Sequence, residues 1–212
     1  MMNAAGTTAS TEKPSAFSMF VNIYKDAFTM KQYRIAVIVG SLRKESFNRQ
    51  LANAIIRLAP SDFAFDFVEI GNLPLYNQDD DAGPSKPVLE FKEKIKSSNG
   101  LLFVTPKYNR SIPGVLKNAL DQGSRPYGQN SWTGLPAGVI GISIGAIGTA
   151  LAQQHLRNVL TFLDVPTLQQ PEIFLQAKEG FFDAEGNIGS GSKDFLQNWM
   201  TKYADWVRKH QK

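Results

Sequence analysis

Two serines, an asparagine, an arginine and a lysine are crowded into residues 40–48, GSLRKESFN, between an apolar run at 34–39 and a helical pattern that begins at Phe47. Hydroxyls, an amide and a guanidinium gathered against a helix start suit an anion. The first backbone N–H groups of a helix have no partner inside it, and the aligned peptide dipoles place partial positive charge there. Ser46 is positioned to cap the helix, Ser41 and Asn48 to donate to phosphate oxygens, and Arg43 or Lys44 to answer the charge. A terminal phosphate meets that description; an ordinary polar connection between strand and helix has the same composition.

Other chemistries are excluded or thinly represented. The chain has no cysteine and only two histidines, His155 and His210. That removes disulfides, thiolate metal sites, a cysteine nucleophile and histidine-rich metal sites. The loop after the first strand lacks the G-x-G-x-x-G that admits a pyrophosphate, although Glu69 could imitate the ribose-binding acid, and there is no Walker A loop. Residues 141–145, GISIG, have the form of a nucleophile elbow. Asp164 or Glu172 and then His210 would complete a serine triad with Ser143, but no HGGG-type oxyanion segment accompanies it. His155 comes too early relative to those acids and reads as a helix-face or core histidine.

The elements that must position these groups alternate strand and helix. Residues 34–39 are apolar almost throughout, as in a strand covered on both faces. The helix after them sets Phe47, Leu51, Ile55 and Leu58 against Arg49, Gln50, Asn53 and Arg57. Residues 63–70 alternate and read as a strand nearer an edge. A helix at 87–98, a strand at 101–105, a helix with Pro113 as its first residue, a strand at 137–143, a helix at 146–163 and a strand at 172–175 come next. The polar segment 122–135 is long enough to roof a site. The last helix carries Phe195, Trp199, Tyr203 and Trp206 at steps of three and four, a core-packing stripe. Strands joined by single helices run parallel, with right-handed crossovers covering both faces, which gives a doubly wound five-stranded α/β sheet. Ligands in such sheets bind beyond the C-terminal strand ends, where loops 40–48, 106–113 and 143–149 all carry glycine, hydroxyl or amide groups.

The 212 residues, 42% hydrophobic and 20% charged, suit one domain with its own core. No run reaches the length of a membrane helix, so a cytoplasmic protein is expected. The formal charge of +4 comes from scattered Lys and Arg, which does not make a nucleic-acid footprint. Residues 1–29 differ in composition and read as a flexible extension ahead of a single domain at 30–212, with Met30 as a candidate natural start. They lack the regions of a signal peptide. A short amphipathic helix using Phe17, Phe20 and Tyr24 is the competing reading.

Three segments taken together, GSLRKESFN, TPKYNRSIPGVLKNALD and SIGAIGTA…QHLR, resemble the NADPH-dependent FMN reductase family, particularly its bacterial quinone and chromate reductase branch. The resemblance implies a flavodoxin-like fold of strand order 2-1-3-4-5, bound FMN, NADPH or NADH as donor, and assembly as homodimers or homotetramers. It also implies quinones, nitro and azo compounds or metal oxyanions as small-molecule acceptors, reduced in a ping-pong sequence that needs no catalytic side chain and no metal. A flavodoxin-like electron carrier or flavin-binding regulator is the rival within that fold. Carried over by position, the phosphate falls to Ser41, Arg43, Ser46 and Asn48. The ring and ribityl chain fall to Pro106, Lys107, Tyr108 and Asn109, and the pyrimidine side to Ser143, Gly145 and Gly148. The chain departs from the family in having Lys107 for Glu, Arg110 for Tyr, Val115 for Gly and Gln122 for Trp. Thr149, Leu151 and Gln154 likewise stand where Gly, Arg and Tyr are common, and some of these positions serve tetramer contacts in the family.

Overall fold

Aliphatic runs bounded by turn formers become five strands: β1 Tyr33–Val39, β2 Phe63–Phe67, β3 Gly100–Val104, β4 Ala137–Ser143 and β5 Phe174–Gln176. Amphipathic segments between them become α1 Phe47–Ile56, α2 Lys86–Lys96, α3 Gly114–Ser124, α4 Ala150–Phe162 and α5 Ser190–Lys209. These elements come from a computed structural model that describes residues 32–211. The expectations for residues 1–29 lie outside the described residues.

All neighbouring strands are parallel, in the order β2-β1-β3-β4-β5. The flavodoxin-like order is therefore present, with β2 at an edge as its alternating pattern implied. Alternation along each strand divides the core into two layers. Ile35, Val37 and Val39 of β1 meet Leu51 and Ile55 of α1 and Trp199, Met200 and Tyr203 of α5. Ala36 and Ile38 meet Phe91 and Ile95 of α2, Leu116 and Leu120 of α3, and Leu156 and Leu160 of α4.

Several boundaries differ from the periodicity reading, each for a local reason. Pro113, with ψ 146°, is still extended and caps α3 rather than opening it. Residues 144–149 form a turn, so α4 starts at Ala150 and not near 146. Segment 122–135 cannot roof the C-terminal rim. A connection from helix to strand lies at the N-terminal ends of the strands in a parallel sheet, and here α3 runs on to Ser124 while Trp132 is fully buried. That ring packs on Phe91 and Phe103 and donates from Nε1 to the Leu120 carbonyl at 3.0 Å. The α5 stripe is correct at Trp199 and Tyr203, whose rings stack at 5.5 Å. Phe195 is half in solvent and Trp206 is only partly buried, because the apolar face turns through Leu196, Met200 and Val207.

Lys92 of α2 is buried and donates from Nζ to the Arg125 carbonyl, fastening α2 to the connection after α3. Burial, helped by Lys96, pushes its ammonium below the ordinary lysine range. Between that lowered pKa and the higher unfolded one, the unfolded chain binds more protons, so this group makes stability rise with pH across that alkaline window. Lys92→Met should flatten that rise, which urea midpoints measured at a series of alkaline pH values on both proteins will read.

Candidate functional site

The ends of β1, β3 and β4 converge on Thr105, which is fully buried. Gly40 donates its N–H to the Val104 carbonyl at 2.9 Å, and Thr105 donates its own to Ile140 at 3.1 Å. A Cβ on Gly40 would lie 2.5 Å from Thr105 Oγ1, and one on Gly141 would lie 2.1 Å from the Thr105 carbonyl oxygen. Only glycine allows that approach, and it brings the three loops to one rim.

In the first loop, Ser46 takes extended backbone angles and its Oγ accepts from the Arg49 N–H at 3.2 Å, which makes it the N-cap of α1 as expected. Among the described residues, the backbone N–H groups of Phe47 and Asn48 have no acceptor, as the start of a helix dictates. Ser41 is buried, and its Oγ accepts a long bond from the Arg43 N–H at 3.4 Å, leaving its own proton to donate. Arg43 and Lys44 are exposed and, among the described residues, in no ion pair.

Asn48 also has a structural role that its place in the loop does not reveal. It is buried, its Nδ2 donates to the Ile142 carbonyl at 2.9 Å, and its Oδ1 accepts from the Ile142 N–H at 3.0 Å. The amide completes the end of β4 as a further strand would, and one Nδ2 hydrogen remains for any ligand.

The second loop begins with Pro106, which is buried and whose carbonyl accepts from Thr105 Oγ1 at 3.0 Å. Lys107 is half-buried, while Tyr108, Asn109 and Arg110 are exposed. Ser111 Oγ lies 2.9 Å from His155 Nδ1, a tie from this loop to α4 that residue pattern alone does not reveal. In the third loop, Ser143 Oγ accepts from the Gly145 N–H at 3.1 Å, and Gly145 in turn accepts from Gly148 at 2.9 Å. Gly148 has φ +56°, and a Cβ there would lie 2.8 Å from the Phe174 backbone. That combination requires glycine.

Leu42, Tyr108, Ile144 and Ile147, spread over these three loops, are 57%, 50%, 75% and 53% exposed. Large apolar side chains left in water on one rim mark a surface that receives a planar apolar group. Hydroxyls, helix N–H groups and unpaired cations in the first of these loops suit a phosphate. The residues present therefore fit a flavin mononucleotide, whose two ends make those two demands.

The serine triad is not assembled. Gln211, next to His210, donates from Nε2 to the Asn99 carbonyl at 2.8 Å, at the N-terminal end of β3, whereas Ser143 closes β4 at the opposite, C-terminal end of the strands. His210 Nδ1 instead contacts the Trp206 carbonyl at 2.8 Å, and Glu172 accepts a bond from Gln154 and forms an ion pair with Arg157. Among the described residues no group of three or more His, Asp or Glu could hold a metal ion, and no helix is long and apolar enough to cross a membrane.

A doubly wound sheet of this order, with an N-capped helix start after β1 and exposed apolar side chains on the loops at the same strand ends, fits a flavodoxin-like flavin-binding protein. Residues 33–180 match the family described as NADPH-dependent FMN reductase, and the chain belongs to that family of FMN-dependent NAD(P)H oxidoreductases. It is 57% identical over 176 residues, 82% of this chain and 96% of the relative, to a 2-hydroxy-1,4-benzoquinone reductase from Burkholderia sp. It is 49% identical over 177 residues, 83% of this chain and 95% of the relative, to a quinone reductase from Pseudomonas putida. Among solved structures it resembles a flavoenzyme NAD(P)H:(acceptor) oxidoreductase from Paracoccus denitrificans, with TM-score 0.81 and 43% identity over 84% of this chain and 98% of that one.

Asn48→Ala leaves the Ile142 N–H and carbonyl without partners inside the protein. It should cost about 3 kcal/mol of folding stability, since each buried backbone group left unpaired costs about 1–3 kcal/mol. Urea denaturation of the two proteins checks this, and Asn48→Asp should behave similarly because its second oxygen would oppose the Ile142 carbonyl.

Proposed function

We propose that this protein is a quinone reductase that passes electrons from NADPH or NADH to quinones, with nitro and azo compounds or metal oxyanions as further acceptors. One observation carries the site assignment: an N-capped helix start with open N–H groups and serine hydroxyls shares the C-terminal strand ends with loops that carry exposed apolar side chains. Supporting the choice of acceptor, two close relatives are named as quinone reductases.

In this reading Ser41, Ser46 and the α1 N–H groups hold the FMN phosphate, and Arg43 supplies a charge-assisted bond. Asn48 holds that helix start against β4 and contributes its remaining hydrogen. Pro106, Lys107, Tyr108 and Asn109 flank the ring and ribityl chain, while Ser143, Gly145 and Gly148 line the pyrimidine side through short backbone and hydroxyl contacts. FMN held by these residues would supply two-electron transfer between the nicotinamide and the acceptor. The side chains themselves orient and exclude water. None of them has to act as acid or nucleophile, so donor and acceptor can use one exposed face in turn, which gives ping-pong kinetics.

A homodimer or homotetramer is part of the proposal. Phe162 and Tyr127, 88% and 92% exposed, flank a groove formed by α3, α4 and the connection after α3. The cytoplasm, where nicotinamide donors are kept reduced, is the compartment this activity requires.

The purified protein should show a flavin absorption spectrum that bleaches on anaerobic addition of NADPH and turn over with a quinone, giving parallel double-reciprocal plots. A colourless protein that does not take up FMN would overturn the site assignment, and bound flavin without turnover would favour an electron carrier or regulator. Arg43→Ala should raise the FMN dissociation constant about tenfold, the loss of one charge-assisted contact. Titration of the apoprotein with FMN, followed by fluorescence, reads that change.

A further inference from the structure

The turn between β3 and α3 presents charge that the flavin does not use, and its role as inferred here depends on flavin occupying the rim as proposed. Tyr108 and Ser111 exchange backbone hydrogen bonds of 2.9 Å each, and the residues between them, Asn109 and Arg110, have φ of 48° and 67°. Two left-handed residues in succession make a type I′ turn, whose second position favours glycine. Asparagine accepts that backbone readily, whereas arginine is a costly choice there. A guanidinium is therefore held where glycine would be at ease. The turn is also fixed from behind, because Ser111 Oγ meets His155 Nδ1 of α4 at 2.9 Å.

Arg110 is exposed and Lys107 half-buried, and among the described residues neither forms an ion pair. Over the three rim loops, Arg43, Lys44, Lys107 and Arg110 stand against a single carboxylate, Glu45. With Arg43 and the α1 N-terminus answering the phosphate, the charge at positions 107 and 110 remains for a molecule that docks on the rim.

We propose that Arg110, with Lys107 beside it, selects acceptors that carry negative charge, namely quinones bearing an ionised hydroxyl, a carboxylate or a sulfonate. The reaction is the one already assigned. NAD(P)H loses a hydride and becomes NAD(P)+, and the quinone gains two electrons and two protons, one carried by the hydride and one from solvent. Its anionic substituent is unchanged, so the cations act on docking and orientation. The 2′-phosphate of NADPH has the same chemistry as such an acceptor, and the experiment separates the two.

The test compares kcat/KM of the flavin-loaded protein for a sulfonated naphthoquinone and for neutral menadione, in wild type, Arg110→Asn and Arg110→Lys. Asparagine keeps the left-handed backbone and removes the charge; lysine keeps the charge. Arg110→Asn should lower the sulfonate-to-menadione ratio about three- to tenfold at low ionic strength, as loss of an exposed attractive charge does, while Arg110→Lys keeps most of it. Raising salt to about 0.5 M should shrink the wild-type ratio in the same direction, because the screening length falls to a few ångströms. The proposal is overturned by an unchanged ratio in Arg110→Asn that still carries flavin, or by a salt-insensitive ratio in wild type. It is equally overturned if only the NADPH-to-NADH ratio moves, which would give the charge to the donor. A visible spectrum of each protein keeps these outcomes apart from failure of the flavin reading, which would appear as a colourless wild type.

Discussion

Thr105 lies where β1, β3 and β4 end, and the atoms around it leave no room for a side chain at either neighbouring glycine. A Cβ on Gly40 would meet its hydroxyl at 2.5 Å, and one on Gly141 would meet both its carbonyl oxygen at 2.1 Å and Thr149 Oγ1 at 2.6 Å. The convergence of three loops on one rim depends on this contact. Asn48 completes it from the other side, bonding Ile142 through both ends of its amide and so holding the start of α1 against the last residues of β4. Beneath that junction, two apolar layers fix the strands, and in a closely packed interior such positions shift little.

Above the junction the chemistry is reversed. Donors that hold the loops from within are buried and paired, Thr105 Oγ1 with Pro106 and Gln153 Nε2 with Thr149 and Ile173, while an exposed contact ties Ser111 to His155. Groups on the rim are left open, including helix N–H groups, the cations of two loops and four large apolar side chains. An unpaired polar group is costly only when it is removed from water, so the rim can keep these groups free while the layer below it cannot. This division lets the protein present unsatisfied donors to a ligand without losing its own order. It also explains why the loop residues most critical to the fold are not the ones available to the cofactor.

Much of this was legible from residue types. The strand order came with three motifs recognised together, and the Ser46 cap from a hydroxyl standing before an apolar periodicity. Both are local signals. The structural bond of Asn48 was not legible, because its neighbours in sequence are phosphate-type residues whereas its partner Ile142 is 94 positions away. The segment 122–135 looked like a roof because length and polarity say nothing about which end of the strands a connection occupies. Trp132, buried within that segment, shows how far composition can mislead. Gly141 offered a faint signal, a glycine inside an apolar strand, which commonly marks a close approach of backbone.

The sequence by itself determined the class of element at nearly every position, the parallel sheet and the loop that suits a phosphate, because periodicity, capping and helix-start electrostatics act over a few residues. Tertiary structure decided which polar groups are free. It bonded Asn48 to β4, tied His155 to Ser111, put His210 at the opposite end of the strands from Ser143 and left Arg110 exposed on a left-handed turn. Availability of a donor depends on what the folded chain brings within about 3 Å of it, and no local pattern carries that information.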